Sequence, residues 1–340
     1  MKRDKNASSM PPRAPTLEDV ARAAGISPMT VSRALNNPKI VRAETVNKVM
    51  EAVRATGYIP NMLAGGLASR RSKLIAVVVP QINNNMFVDT VQAISDELAA
   101  RGYHMLLCVA GYTNKSEAEI VATLLSRRPD GIVLTGIHHT PELKRLLLNA
   151  TIPVVEIWDL TPTPLDMLVG FSHESIGNAI GHYLLGKGHL RFGLVWTEDA
   201  RAGLRKKGIY DVIQKQPGHY VREALAPWPA TLALGRQGLI ELLADGDVFD
   251  AIICSSDTLA QGVMIEAAAR GLAVPNKLAV MGFGDLDFAA HSTPTITTIR
   301  IDRWKIGTDA AAMLAEKIEG KSVPSPIMDI GFSLIERESA

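Results

Sequence analysis

The 340-residue chain is 47% hydrophobic and 5% aromatic, with a formal net charge of +1. That length suits two or three domains and that composition supports a real core, which excludes a disordered or fibrous chain. The near-neutral total hides an asymmetry: up to Lys73, 13 Lys and Arg stand against 5 Asp and Glu, a net +8, and the remainder carries 23 against 30, a net −7.

A basic head on an acidic body marks a nucleic-acid-binding module attached to a second function, although a solvated basic tail would give the same count. Residues 1–15, "MKRDKNASSMPPRAP", combine charge, Ser and Pro with little to bury and are expected to form a disordered tail. They lack the apolar core of a secretory signal, and no apolar run reaches membrane-spanning length. A cytoplasmic protein with no membrane partner is expected. Cys108 and Cys254 sit in apolar, strand-like runs and suit buried free thiols in a reducing compartment; there is no Cys-rich zinc pattern.

From 16 to 60 the pattern is helical. Thr16 with Asp19 makes a capping box for a helix whose Leu17, Val20, Ala21 and Ala24 share one face, and Gly25 ends it. Ser27 caps a second helix, with Pro28 at the first position, where its missing N–H costs nothing; it runs to about Leu35, with Val31 and Leu35 inward. A third helix, about Ala43 to Thr56, turns Val46, Val49, Met50 and Val53 inward and is stopped by Gly57 and Pro60. Residues 61–72 are short, and Gly65 and Gly66 each weaken an isolated helix by about 1 kcal/mol. They read as a flexible linker or as a hinge that becomes helical on a partner. From Lys73 the pattern changes to short apolar runs ("KLIAVVVP", "YHMLLCVAG", "GIVLTG", "IPVVEIW", "FGLVW", "AIICSS", "LAVMGFG") separated by helix-like segments. Such alternation means parallel sheets covered on both faces, here in two subdomains with a ligand cleft beyond the strands' C-terminal ends.

The stretches "TLEDVARAAGISPMTVSRALNN" and "GYIPNMLAGGLASRRSKLIAVVVP", followed in order by "DGIVLTG", "IPVV", "SSDTLAQG" and "VPNKLAVMGFGD", resemble the lactose-repressor (LacI) family over essentially everything after the tail. The resemblance implies an all-α helix-turn-helix DNA-binding head at 16–60 and a hinge helix at 61–72. An α/β two-lobed, periplasmic-binding-protein-like sensor that also dimerises follows at 73–340, with one lobe over about 73–160 and 291–320 and the other over about 161–290 and 321–340. It further implies a ligand-responsive repressor that binds a near-palindromic double-stranded DNA operator as a homodimer, without cofactor or metal.

In a helix-turn-helix the second helix enters the major groove with its N-terminal residues facing base edges. The family's matching positions give Pro28, Met29 and Arg33 base contacts, Arg33 bidentate to guanine and the other two apolar. Thr30, Ser32 and Asn36 suit phosphates, and Thr16 and Ser27 are counted with them among the DNA-binding residues. Leu67 falls at the family's hinge leucine, a minor-groove wedge at the operator centre, with Asn61, Ala68 and Arg70 beside it.

For the effector, the resemblance points to Met86, Phe87, Arg201, Arg205, Trp228 and Ser256. Paired arginines favour a carboxylate or phosphate, because the planar fork matches either bidentately. The family usually writes "GFDD" or "GYDD" where this chain has "GFGD", so Gly284 stands at the usual ligand-binding aspartate, and Asp285 is left as the candidate. Losing that charge suits an anionic ligand. "IPVVEIWDLTPTPLDMLVGF" and "MDIGFSL" resemble the family's gluconate-utilisation branch, which implies a sugar acid with Glu156, Asp159 or Ser256 taking hydroxyls. The C-terminus has no heptad-patterned tail for tetramerisation.

Three rivals carry different tests. A corepressor-type regulator sensing a nucleobase or neutral sugar would tighten on DNA when liganded. An enzyme of sugar-acid metabolism could draw on His138 and His139, but no triad, nucleophile elbow, phosphate loop or metal-ligand spacing accompanies them, and they are expected at a pocket rim or surface. A transport component is disfavoured by the helix-turn-helix pattern.

Overall fold

The computed structural model describes residues 13–59, 71–82, 85–111 and 114–340, and the chain divides between Ser72 and Lys73 into two compact units. In the first, α1 (Leu17–Ala24), α2 (Pro28–Asn36) and α3 (Ala43–Thr56) pack around Val20, Ala21, Ala24, Val31, Val49 and Ala52. Gly25 closes α1 at φ 62, a left-handed conformation that side-chain-bearing residues resist, so the chain turns there toward α2. Met50, inward by its sequence pattern, is 43% exposed. The α3 face that meets the other two helices is narrower than its apolar stripe and runs through Val49 and Ala52.

The second unit holds β1 (Leu74–Val79), α4 (Val88–Ala100), β2 (His104–Val109), α5 (Asn114–Ser126), β3 (Gly131–Thr135), α6 (Pro141–Ala150), β4 (Val154–Ile157), β5 (Met167–Gly170), α7 (His173–Gly186), β6 (Arg191–Thr197), α8 (Ala200–Ile213), β7 (Tyr220–Ala226), α9 (Leu232–Leu242), β8 (Ala251–Cys254), α10 (Asp257–Ala269), β9 (Ala279–Met281), β10 (Thr298–Arg300), α11 (Arg303–Ile318), β11 (Ile327–Asp329) and β12 (Ser333–Ile335). One parallel sheet runs β11-β5-β4-β3-β1-β2 and another β7-β6-β8-β9, while β10 and β12 pair antiparallel. The pleat explains the continuous apolar runs: Ile75, Val77 and Val79 face one layer of helices, and Ala76 and Val78 face the other. Among the described residues, no helix is long and apolar enough to cross a membrane.

Two lobe boundaries move. By the expected limits β5 and β11 belong to the second lobe, but both extend the first sheet, β5 through Val155↔Met167 and β11 through Ile327↔Leu168. The chain therefore crosses after Gly170 rather than near 160. The loop from Trp158 to Asp166 returns it to the parallel neighbour without a helix, so the usual strand-helix alternation gives no cue there.

Candidate functional site

On α2 the polar groups divide into two sets. Ser27 Oγ accepts the Thr30 N–H (3.2 Å) and pairs with the Thr30 hydroxyl (2.9 Å), which sets the helix start. Asn36 Nδ2 donates to Ser32 Oγ at 3.3 Å. Pro28, Met29, Arg33 and Asn36 are exposed, Met29 to 64%, and positions 29 and 33 lie one turn apart on the same face. An apolar side chain left that open beside an arginine offers a surface for base edges rather than for the core. Thr16 serves its own helix instead. Its N–H and hydroxyl both donate to Asp19 Oδ2 (2.9 and 2.8 Å), and backbone and side-chain hydrogen bonds from Thr16 hold that carboxyl down at about 2. Asn61, Leu67, Ala68 and Arg70 lie outside the described residues.

In the second unit, a small cavity opens where the strand ends of the two sheets converge, lined by Met86, Phe87, Trp158, His173, Arg201, Arg205, Trp228, Ser256 and Phe283 among others. Six of the expected effector residues thus meet in one place: Met86, Phe87, Arg201, Arg205, Trp228 and Ser256. Arg201 and Arg205 share one face of α8, whose N-terminus is capped by Asp199 Oδ1 accepting the N–H groups of Arg201 and Ala202, each at 3.0 Å.

Arg205 is 5% exposed. Its Nη1 donates to His173 Nδ1 (3.0 Å), its Nη2 donates to the Ser255 carbonyl (3.2 Å), and its guanidinium lies 3.9 Å from the Phe283 ring centroid. Burial pushes the pKa of His173 well below the usual imidazole range, and the Arg205 charge pushes it further. The neutral ring then donates from Nε2 to the Trp158 carbonyl (2.9 Å) and keeps its Nδ1 lone pair for the arginine. Close helix packing makes this possible. A Cβ on Gly177 would sit 2.0 Å from the Arg205 carbonyl, and one on Gly208 would sit 2.2 Å from that of Glu174. Only hydrogen at both positions lets α7 lie against α8 and bring His173 to Arg205. Arg201 lies 5.5 Å over the Phe87 ring, and its buried Nη1 has no hydrogen-bond partner among the described residues.

A second, larger cavity adjoins the first, sharing Arg201 and Asp199, and is lined by Pro80, Gly111, Thr135, His138 and Asp159 among others. Asp159 belongs here and not with Arg205.

Two expected contacts are corrected. Asp285 takes Arg300 Nε (2.5 Å) and Arg337 Nη2 (2.7 Å), and the cavity wall nearby is the Phe283 ring. Left-handed backbone at Gly284 (φ 125) and Asp285 (φ 51) turns the carboxylate toward those arginines. Glu156 points to the opposite face of β4 from Val155 and Ile157, where its Oε2 accepts the Leu165 N–H (2.6 Å) and its Oε1 lies 3.2 Å from His139 Nε2. His139 Nδ1 lies 3.2 Å from Glu117 Oε2. Burial opposes charging this ring, but hydrogen bonds to Glu117 and Glu156 outweigh it and lift His139 to about 9. His139 is therefore a buried cation between two carboxylates, whereas His138 is exposed at the cavity rim.

Sequence reasoning missed His173, Trp158 and Phe283. The available signal was "MLVGFSHES": a short strand followed by a Ser cap, which puts a histidine at the first turn of a helix directly beyond a strand end.

A helix-turn-helix unit together with a two-lobed α/β unit, charged at the convergence of its strands, defines a DNA-binding regulator with a small-molecule sensor. The profile of the bacterial regulatory proteins, lacI family, matches residues 16–61, and that of a periplasmic binding protein-like domain matches residues 182–340. The HTH-type transcriptional regulator GntR of Pseudomonas aeruginosa is 37% identical over 330 residues, spanning 96% of this chain and 95% of that protein. A LacI-family transcriptional regulator from Silicibacter pomeroyi matches with a TM-score of 0.90 at 29% identity, over 95% of this chain and 98% of that one. The lac repressor dimer bound to operator and the anti-inducer ONPF matches with a TM-score of 0.81 at 26% identity, over 96% and 99%. The chain belongs to the lacI family of bacterial regulatory proteins; it is a DNA-binding transcriptional regulator and not an enzyme.

Proposed function

We propose that this chain is a cytoplasmic repressor of sugar-acid metabolism genes, released from its operator when gluconate or a close relative occupies the cavity of Arg201 and Arg205. One observation carries the reading: two guanidinium groups one helical turn apart line one cavity, and Arg201 presents a buried Nη1 that has no partner among the described residues. A planar carboxylate satisfies such donors, whereas a neutral sugar leaves a buried cation poorly compensated. The resemblance to the gluconate-utilisation branch supports the same ligand class. Ser256 also caps α10 through the Leu259 N–H (3.3 Å), which leaves its hydroxyl proton for a ligand oxygen.

On DNA, Met29 and Arg33 read bases, and the α2 hydroxyls and Asn36 set register on phosphates. A homodimer, the state of the lac repressor in its operator complex, places two heads on a near-palindrome with the Leu67 wedges at its centre. Ligand and operator then oppose each other by one coupling free energy, so DNA weakens ligand binding by the same factor. The head's net +8 makes operator binding steeply salt-dependent.

The test is calorimetric titration with gluconate, 2-ketogluconate, 6-phosphogluconate, glucose and hypoxanthine, alongside Arg205→Ala and Arg201→Ala and with operator release followed in parallel. Binding of an acid but not of glucose is expected, weakened at least about 30-fold in the Arg201 variant. Binding of glucose or hypoxanthine alone would overturn the sugar-acid reading and leave the DNA-binding assignment intact.

A further inference from the structure

We propose that the second cavity is a subsite for the hydroxylated tail of the ligand, with Asp159 as its specificity-determining residue; this rests on the sugar-acid reading above. Asp199 and Arg201 line both cavities, so the two chambers lie on either side of the same guanidinium. A ligand whose carboxylate is held at the Arg205 end and whose tail extends past Arg201 enters the second chamber.

The chamber is built for a group that both donates and accepts. Asp159 is only 2% exposed, and its Oδ2 has no hydrogen-bond partner among the described residues. Its Oδ1 accepts the N–H of Leu160 at 3.2 Å, which fixes the carboxyl's orientation. The backbone beneath is fixed as well: a Cβ on Gly170 would sit 1.8 Å from the Asp159 carbonyl, so β5 supports the loop by direct backbone contact. Arg201 Nη1 carries two N–H groups, so one can meet the carboxylate and the other a tail hydroxyl. An unmet acceptor and an unmet donor, both buried, match an alcohol better than a methylene, which satisfies neither, or a second anion, which would repel Asp159. Burial raises the carboxyl pKa of Asp159 against the opposing pull of Arg201. Glu117 and His139 border the chamber too, but they face one another at 3.2 Å and are already matched.

The experiment is a two-by-two comparison in the full-length protein. Gluconate and L-threonate, a four-carbon acid with the same configuration at C2 and C3 and a shorter tail, are titrated into wild type, Asp159→Ala and Asp159→Asn, with thermal melting to confirm folding. Wild type is expected to favour gluconate by at least about tenfold, because a site built around a hydroxyl rejects ligands that leave it unpaired. Asp159→Ala should erase most of that preference by weakening gluconate while leaving L-threonate within about twofold; Asp159→Asn, which keeps a hydrogen-bonding group, should fall between. An equal loss for both acids, or no loss for gluconate, would place the tail elsewhere and overturn the subsite, whereas failure of wild type to bind either acid would overturn the sugar-acid reading itself.

Discussion

The head and the sensor handle their polar groups in opposite ways. On α2, Met29, Arg33 and Asn36 stand in solvent, and the helix forms without them. In the sensor, Arg205, His173, Asp159 and His139 are all nearly fully buried, and the fold closes over each. An exposed recognition group can change with little effect on folding, so DNA specificity is free to drift. A buried one is tied to stability, so ligand specificity is held in place by packing.

The largest expected effect is at His139. Replacing it with Ala leaves Glu117 and Glu156 buried together without their cation and should cost about 3–5 kcal/mol. All four tryptophans (Trp158, Trp196, Trp228 and Trp304) lie in the sensor, so denaturation followed by tryptophan fluorescence reports that unit. An unchanged midpoint would break the contrast. The pH dependence sharpens it. Because the folded-state value of His139 is raised to about 9, its contribution is full below the ordinary 6.5 and is lost as pH climbs through about 9. The fluorescence midpoint should therefore fall between pH 7 and pH 10.

At the head, Arg33→Ala should weaken binding to an operator selected in vitro by about 1–3 kcal/mol and relax preference at one base position, with no change in melting. A loss of stability would mean that Arg33 is not the free reading group described. Smallest is Asp19→Asn. The carboxyl of Asp19 is held down at about 2, so its contribution is present above the ordinary 3.8 and disappears as pH falls toward 2. Amide exchange across residues 16–59 should speed slightly at pH 7 in the variant and match wild type near pH 2.

The same contrast decides what could be read from the sequence. The head is written locally: Thr16, Ser27, Pro28 and Gly25 each act on neighbours within four residues, and the helix limits follow from them. Met50 failed because a stripe of apolar residues on α3 is wider than the face the bundle covers. In the sensor, strands buried on both faces were legible as apolar runs, whereas "MLVG" and "YVREALA" were not, the one for lack of a helix between it and the preceding strand and the other because it is a partly exposed edge strand. Arg205 could be found by motif, but its pairing with His173, 32 residues earlier, could not, since the two meet only through a close contact of α7 and α8 at Gly177 and Gly208. Asp285 misled because its partners, Arg300 and Arg337, arrive from the chain's far end.

Gly284 bears on how this sensor can change over generations. Its φ of 125 admits almost no residue but glycine, and a Cβ there would meet Met86 Cε at 2.6 Å. A single substitution restoring the family's usual aspartate would thus strain the backbone and strike a neighbour before it could touch any ligand. The terminal methyl of Met86 can swing aside, so the barrier to a side chain at 284 is the backbone turn at 283–285. If the proposed sugar-acid reading holds, an aspartate at 284 would have to follow a shift of that turn.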